Sequence, residues 1–399
     1  MDRKNRKNTE NREHFTDSLW FLMLLTFLAM VPQYVIRSSY SMYYYFYHKF
    51  TTYPGDLWYC WNHYLSKGFP YPVEYPVGMR IIFTFIYRVK PDWFNYEWYM
   101  LSVSIFFGIF ALATTCFLYY LVKKTHRKTK KLITYWILAP TFLFYALLNT
   151  DLLTLFTIVA AAYLFMEEDY YLAAAMLGLG TAIKVFPIFL TPLFFFQCPR
   201  KKRWLSVASF LGIWLVFNVP FMLSDWKSWI SPYLWQIKHN IPKDASHGSY
   251  WWIAYKLLGP ENSNWVGRLS LLFFASLYGL FLWKKWDLPF ARKAMGVMIL
   301  FLMTDRVYSP QYNLYLLPFL VLVDYRVDLK WFYMLEIPNF IQVAFLFFWR
   351  ANPVFLQILI LIKYIALILL FLQLVKTPVE LDTDREFRLN MQETELQKS

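Results

Sequence analysis

The sequence predicts an all-α polytopic membrane protein, on three observations. Of the 399 residues, 58% are hydrophobic and 22% aromatic, and the mean hydropathy is +0.33. Only 17% are charged, fewer than a soluble domain of this length carries. Apolar stretches recur along almost the whole chain, separated by short charged punctuation, as repeated crossing of a hydrocarbon layer ~30 Å thick requires.

Each crossing needs roughly 20 apolar residues, fewer where neighbouring helices shelter a broken one. The candidate segments are 18–36, 98–122, 132–148, 151–166, 170–184, 186–198, 204–223, 265–284, 290–304, 311–325, 331–349 and 353–375, which predicts a bundle of about 10–12 transmembrane helices. The pair 170–184 and 186–198 is short enough to form two crossings or one re-entrant pair, with the same parity. Gly78–Val89 is apolar but too short to cross at ~1.5 Å per residue, so it reads as an interfacial or re-entrant helix. The N-terminus is charged and lacks a small-residue cleavage site, so the first apolar stretch reads as a retained span.

The formal charge of +14 falls in blocks beside spans: Arg3–Arg12, Lys123–Lys131, Arg200–Arg203, Lys284-Lys285 and Arg292-Lys293. That distribution follows the positive-inside rule and puts the blocks on the cytoplasmic side. No soluble stretch is long enough for a basic nucleic-acid-binding domain. The resulting organisation is a cytoplasmic basic N-terminus (1–17), a transmembrane domain (18–375) and a cytoplasmic polar tail (376–399). The extracytoplasmic side then receives two long loops, 37–97 and 224–264, and nearly every unusual polar cluster.

The first loop contains Gly55-Asp56-Leu57-Trp58, then Gly68-Phe69-Pro70-Tyr71-Pro72-Val73-Glu74-Tyr75-Pro76. A carboxylate at Asp56 suits a general base that takes a proton from a hydroxyl, or a solvated loop acid or helix N-cap. Glu74 competes for the same role or orients a sugar hydroxyl. Pro70, Pro72 and Pro76 stiffen the turn. Asn149-Thr150-Asp151 reads as a capped turn or as a second acidic group facing the same cavity.

Lys184 is flanked by apolar sequence, so it should pair, snorkel or hold an anion such as a lipid phosphate. Asp305-Arg306 precedes Ser309-Pro310-Gln311-Tyr312. Arginine offers a planar fork for phosphate oxygens, with Gln311 and Tyr312 as neutral partners; the alternative is an acid–base pair satisfying itself at a span end. His239 and His247 lie among tryptophans of the second loop without metal-ligand spacing. Cys60, Cys116 and Cys198 show no C-x-x-C spacing, so neither a metal cluster nor a disulfide framework is expected.

In chain order these clusters resemble the GT-C superfamily of integral membrane glycosyltransferases. Within it they are most similar to the polyprenol-phosphate-mannose-dependent α-mannosyltransferases, glycosyltransferase family 87. The family's early Gly-Asp matches Gly55-Asp56, and its Gly…Pro-Tyr…Glu-Tyr-Pro-Pro run matches Gly68, Pro70-Tyr71 and Glu74-Tyr75-Pro76. Asn149-Thr150-Asp151, Gly178-Leu179-Gly180 with Lys184-Val185-Phe186-Pro187, and Ser309 to Pro318 follow in the family's order. The chain departs from the pattern at Val77, where the family has a second proline, and at Arg306-Val307, where it has a lysine.

The resemblance implies a GT-C fold and transfer of a hexose, mannose by likeness, from a polyprenyl-phosphate donor to an extracytoplasmic lipid-linked or glycan acceptor. It implies inverting single displacement with Asp56 as base, Lys184 and Arg306 on the phosphate, and Glu74 and Asp151 arranging sugar hydroxyls. Tyr75, Ser309, Gln311 and Tyr312 belong to the same implied substrate site. No resident cofactor or fixed metal follows, although a divalent cation fits the carboxylates as well as base chemistry does. The rival classes are a secondary transporter or lipid-sugar flippase, which should show repeated halves and midplane charges, and a non-catalytic scaffold.

Overall fold

The computed structural model describes residues 17–38, 57, 60, 61, 75–89, 91, 93, 95–147, 149–239, 248–348 and 353–379. Asp56, Glu74 and His247 lie outside these residues, as does the side chain of His239. Among the described residues the chain is helical and contains no β-strand, which is the predicted fold class.

The main helices are α1 (Leu19–Ser38), α2 (Val77–Val89), α3 (Tyr96–Lys124), α4 (Pro140–Tyr145), α5 (Asp151–Met166), α6 (Tyr170–Ile183), α7 (Thr191–Gln197) and α8 (Arg200–Ser224). They continue with α9 (Trp226–His239), α10 (Trp251–Leu258), α11 (Ser263–Lys284), α12 (Phe290–Thr304), α13 (Leu317–Leu322), α14 (Leu329–Phe348) and α15 (Pro353–Lys376). Among the described residues, four of these are individually long and apolar enough to cross a bilayer, in the stretches Tyr96–Lys124, Arg200–Ser224, Trp265–Lys284 and Val354–Lys376. The short helix Val77–Val89, 13 residues long, packs against α6 and α8.

Three segments predicted as single spans are broken, each at proline. In 132–148 a π-helix, Ile133–Ile137, ends before an extended Ala139 and restarts at Pro140. A residue before proline is pushed out of the helical region. The backbone N–H of Thr141 exposed by that break donates to Glu336 Oε2 at 2.8 Å, the satisfaction that broken helices require inside a membrane. The segment 186–198 divides into a 3-10 turn, Phe186–Phe189, and α7, with Pro187 and Pro192 at the helix starts. Likewise 311–325 divides into a 3-10 run, Pro310–Tyr315, and α13, with Pro310 and Pro318 opening the two pieces.

The helices α5 and α6 form an antiparallel hairpin around Glu167–Asp169, where Glu168 adopts φ 62° and Asp169 caps α6 by accepting from the Leu172 N–H. Small residues let α6 sit close to both neighbours. A Cβ at Gly180 would meet Thr157 Oγ1 of α5, and one at Gly178 would meet the Phe210 carbonyl of α8. Between membrane helices, where lipid removes the hydrophobic drive to associate, such close approach supplies the packing.

The hairpin sets the two ends of the bundle. At its turn end, Lys124 pairs with Glu167 at 2.8 Å and Lys123 with Asp17 at 3.5 Å. Lys131 Nζ donates to the Val323 and Tyr325 carbonyls, each at 2.7 Å. Arg292 forms a two-pronged ion pair with Asp324 and also donates to the Thr377 and Pro378 carbonyls. Lys202 lies over the Tyr170 ring at 4.9 Å. The blocks around Lys123–Lys131, Arg200–Arg203 and Arg292 therefore share one end, together with the start of α1 and the finish of α15. The opposite end holds the start of α5 and the finish of α6.

Candidate active site

The antiparallel hairpin brings Asp151, first residue of α5, against Lys184, the residue that ends α6. Lys184 Nζ lies 2.7 Å from Asp151 Oδ1; the lysine side chain is 17% exposed and the aspartate 0%. Lys184 thus pairs, the first of the three fates open to it in the sequence. Asp151 does not act as an Asx cap: Thr150 occupies the cap position and makes no side-chain cap bond. A carboxylate in the first turn is still favoured by the helix dipole. Tyr315 donates its hydroxyl to the same Asp151 oxygen, while Asp151 Oδ2 is buried with no hydrogen-bond partner.

Aromatic rings enclose this pair. The Lys184 ammonium stands 5.9 Å from the Tyr75 ring centroid. Tyr315 stacks on Phe186 at 3.9 Å, and Tyr312 lies 6.2 Å from Tyr315. In a 3-10 run residues three apart eclipse, so Pro310–Tyr315 turns Tyr312 and Tyr315 to one side. Tyr75 is held by a second buried cation: Arg80 donates to the Tyr75 carbonyl at 3.0 Å, to Ser228 O at 2.6 Å and to Ser231 Oγ at 2.8 Å. Arg80 therefore ties α2 to α9, the first predicted loop to the second. Leu57, the neighbour of Asp56, accepts from the Tyr99 hydroxyl at 2.8 Å near the start of α3.

Arg306 occupies an adjacent space. It lines a cavity of about 670 Å³ together with Asp305, Thr304, Arg268, Ser270 and a wall that includes Phe189, Phe274 and Phe301. Lys184 and Asp151 do not line it. Phe301, which lines the cavity, lies 5.3 Å from both Phe189 and the Phe186 ring that stacks on Tyr315. The Asp305–Arg306 backbone is latched from α10: Trp251 Nε1 donates to Thr304 O at 2.9 Å and Ser249 Oγ donates to Arg306 O. Burial pushes the Asp305 carboxyl up to about 6, against the pull of Arg306. Burial also lowers Arg306 from its usual value, opposed by Asp305. The self-satisfied alternative fails on geometry, since no Asp305–Arg306 ion pair forms among the described residues.

Of the predicted substrate residues, Tyr75, Asp151, Lys184 and Tyr312 come together and Arg306 stands next door. Ser309 precedes the 3-10 run without a side-chain cap bond, and Gln311 is half-buried. Among the described residues, no three His, Cys, Asp or Glu side chains gather as a metal set.

Residues 75–335 match the sequence profile of glycosyltransferase family 87. The match takes in Tyr75, Asp151, Lys184 and the whole Asp305–Tyr312 segment. The chain belongs to glycosyltransferase family 87. No curated protein and no solved structure matches it. As a family 87 member it is a membrane glycosyltransferase, and such an enzyme has a sugar donor and an acceptor. Asp56 and Glu74 lie just before the matched stretch.

Sequence reasoning missed Tyr315, Arg268 and a buried polar chain behind the Ser309–Tyr312 segment. In that chain Tyr308 donates to Asn313 Oδ1, Asn313 Nδ2 donates to Glu336 Oε1 at 2.9 Å, and Asn339 Nδ2 donates to Pro310 O at 2.8 Å. Lys363 lies 3.9 Å from the Tyr308 ring centroid and donates to Gln342 Oε1 at 3.0 Å. A signal for it was present: Glu336 and Lys363 are ionisable residues inside apolar segments, which are rarely without purpose.

Proposed function

We propose that this family 87 member transfers a hexose, mannose by family likeness, from a polyprenyl-phosphate donor to an extracytoplasmic lipid-linked or glycan acceptor. The observation that carries the reading is a polar cluster and a cavity at one bundle end. The cluster is Lys184–Asp151–Tyr315, ringed by Tyr75 and Tyr312. The cavity has Arg306 on one side and phenylalanines on the other. A phosphate on a long apolar chain is met by cationic donors beside an apolar wall.

The reaction is an inverting single displacement. Asp56 takes the proton of the acceptor hydroxyl as its oxygen bonds to the anomeric carbon. The bond from that carbon to the phosphate oxygen breaks, and polyprenyl phosphate departs with the electron pair. Arg306 and Lys184 stabilise the charge gathering on the phosphate. Asp151, whose second oxygen is buried and unpartnered, accepts from a sugar hydroxyl, with Glu74 assisting. Tyr75, Ser309, Gln311 and Tyr312 complete the sugar surroundings. The basic blocks share the opposite end of the bundle, which supports a cytoplasmic assignment for that end and for both termini.

The test offers purified protein radiolabelled polyprenyl-phosphate mannose and glucose with a panel of glycan and glycolipid acceptors. Transfer that disappears in Asp56→Asn is the expected result. Transfer undiminished by that change overturns the base. Absence of transfer from every lipid donor, with uptake of substrate into vesicles, would favour a transporter.

A further inference from the structure

We propose that Arg80 is a positioning residue for the transfer reaction, holding the Tyr75 ring at a set place beside Lys184 by clasping the start of α2 to α9. Arg80 acts through Tyr75 and not on the substrate, a role that rests on the transfer proposed above.

Two anchors meet at the start of α2. The first is Gly78, where a Cβ would lie 2.8 Å from Ile183 Cγ1 and 3.0 Å from the Ala182 carbonyl oxygen. Glycine lets α2 begin directly against the finish of α6, immediately before Lys184. The second anchor is Arg80, only 1% exposed. Its Nε donates back to Tyr75 O at 3.0 Å. On the other side its Nη1 donates to Ser228 O at 2.6 Å and Ser228 Oγ at 3.0 Å, and its Nη2 to Ser231 Oγ at 2.8 Å. A planar fork reaches both sides at once, which the single ammonium of a lysine does not.

The far side of the clasp is itself fixed. Ser228 N–H donates to Asp225 Oδ1 at 3.0 Å at the start of α9. Trp229 Nε1 donates to Asn218 Oδ1 of α8 at 2.9 Å, and Asn218 Nδ2 donates to Trp214 O at 2.8 Å. Both Trp229 and Asn218 are buried. The membrane-length helix α8 thus holds α9, α9 holds the Arg80 guanidinium, and Arg80 holds the Tyr75 backbone. The Tyr75 ring centroid lies 5.9 Å from the Lys184 ammonium, so its place is set from α6 through Gly78 and from α8 through Arg80. A buried arginine ordinarily does no more than join two helices. What distinguishes Arg80 is its bond to the backbone of a residue that faces the Lys184–Asp151 pair.

The test compares steady-state transfer from polyprenyl-phosphate mannose by the full-length wild type, Arg80→Lys and the double variant Ser228→Ala/Ser231→Ala. It is run at a temperature where circular dichroism shows each to be folded, so a merely structural role leaves kcat at the wild-type level. Arg80→Lys should lower kcat about 10–100-fold, up to the scale of a ~1 Å misplacement, with the donor KM changed less than about 3-fold. The serine variant keeps the Ser228 carbonyl as an acceptor and should lose kcat several-fold. In a Tyr75→Ala background, Arg80→Lys should remove less than about 3-fold more, because its effect passes through that ring. Wild-type kcat in both the arginine and serine variants overturns the proposal, and the serine variant decides alone if Arg80→Lys fails to fold. Losses that multiply fully in the Tyr75→Ala background overturn the route through Tyr75. Transfer from a donor other than a polyprenyl phosphate, with the same loss in Arg80→Lys, removes the donor reading and keeps Arg80. Transfer from polyprenyl-phosphate mannose that is indifferent to Arg80→Lys does the reverse.

Discussion

Lys184 Nζ lies 2.7 Å from Asp151 Oδ1 where the finish of α6 meets the start of α5. Removing Lys184 takes the cation from a fully buried Asp151 carboxylate, and breaking such a pair typically costs about 3–5 kcal/mol. Asp151→Ala and Lys184→Ala should each lower the unfolding temperature in detergent strongly. The double variant should be less destabilised than the sum of the two, because it leaves no orphan charge. A double-mutant cycle by thermal unfolding checks this, and additive losses would mean that the two side chains do not depend on one another.

The close approach of α6 and α8 makes a second prediction. A Cβ at Gly178 would collide with the backbone carbonyl of Phe210, whereas one at Gly212 on α8 meets nothing within 4 Å. A backbone atom cannot swing aside as a side chain can. Gly178→Ala should separate the helices and destabilise by about 1–3 kcal/mol, the usual cost of overpacking. Gly212→Ala should be neutral or stabilising by up to ~1 kcal/mol from helix propensity alone. Side-by-side unfolding of the two variants measures the contrast, and equal behaviour would contradict the packing.

Much of this was legible in the chain because membrane physics leaves few options. Long continuous apolar runs read as helices because only helices and closed barrels satisfy backbone groups in lipid, and barrel strands are short and alternating; the ends of most helices fall within a few residues of the predicted spans. The basic blocks beside Lys124, Arg203 and Arg292 do share one end. The broken spans at Pro140, Pro192 and Pro318 escaped a reading based on apolar length, because hydropathy does not register a missing N–H. Lys184 announced itself as a lone cation in an apolar run. Tyr315 did not, since in a chain with 31 tyrosines only the meeting of two segments 164 residues apart distinguishes it. Arg268 was hidden for a related reason, resembling any arginine near a helix end until Gly267 beside it was seen to make room for Arg306.

Asp305 gives the site a pH dependence whose sign follows from its surroundings. Burial raises its carboxyl from 3.8 to about 6, although Arg306 and the Val307 and Arg306 backbone N–H groups pull the other way. Tyr364 is also electrostatically coupled to it. The folded protein therefore holds this proton more tightly than the unfolded chain, so the stability it contributes is present at low pH and is lost as pH rises through about 6. Unfolding temperatures between pH 4 and 7 should fall more steeply for the wild type than for Asp305→Asn, which has no proton to lose there. Parallel profiles would mean that the carboxyl titrates as an ordinary aspartate.

The Glu336 carboxylate joins two breaks in helical structure, and that gives the last prediction. Its Oε2 accepts from the Thr141 N–H freed by Pro140, and its Oε1 accepts from Asn313, itself bonded to Tyr308. Glu336→Gln keeps an oxygen for one of the two donors, although its amide nitrogen must then face the other. Glu336→Ala leaves both donors buried and unmade, at about 1–3 kcal/mol each. The alanine variant should therefore unfold at a clearly lower temperature than the glutamine variant. The Ser309–Tyr312 segment that these bonds support should loosen with it. Hydrogen–deuterium exchange across residues 305–315 reads this directly, with faster exchange expected in Glu336→Ala than in Glu336→Gln. Equal protection in the two variants would show that the loop is held by its other bonds, from Ser249, Trp251 and Asn339.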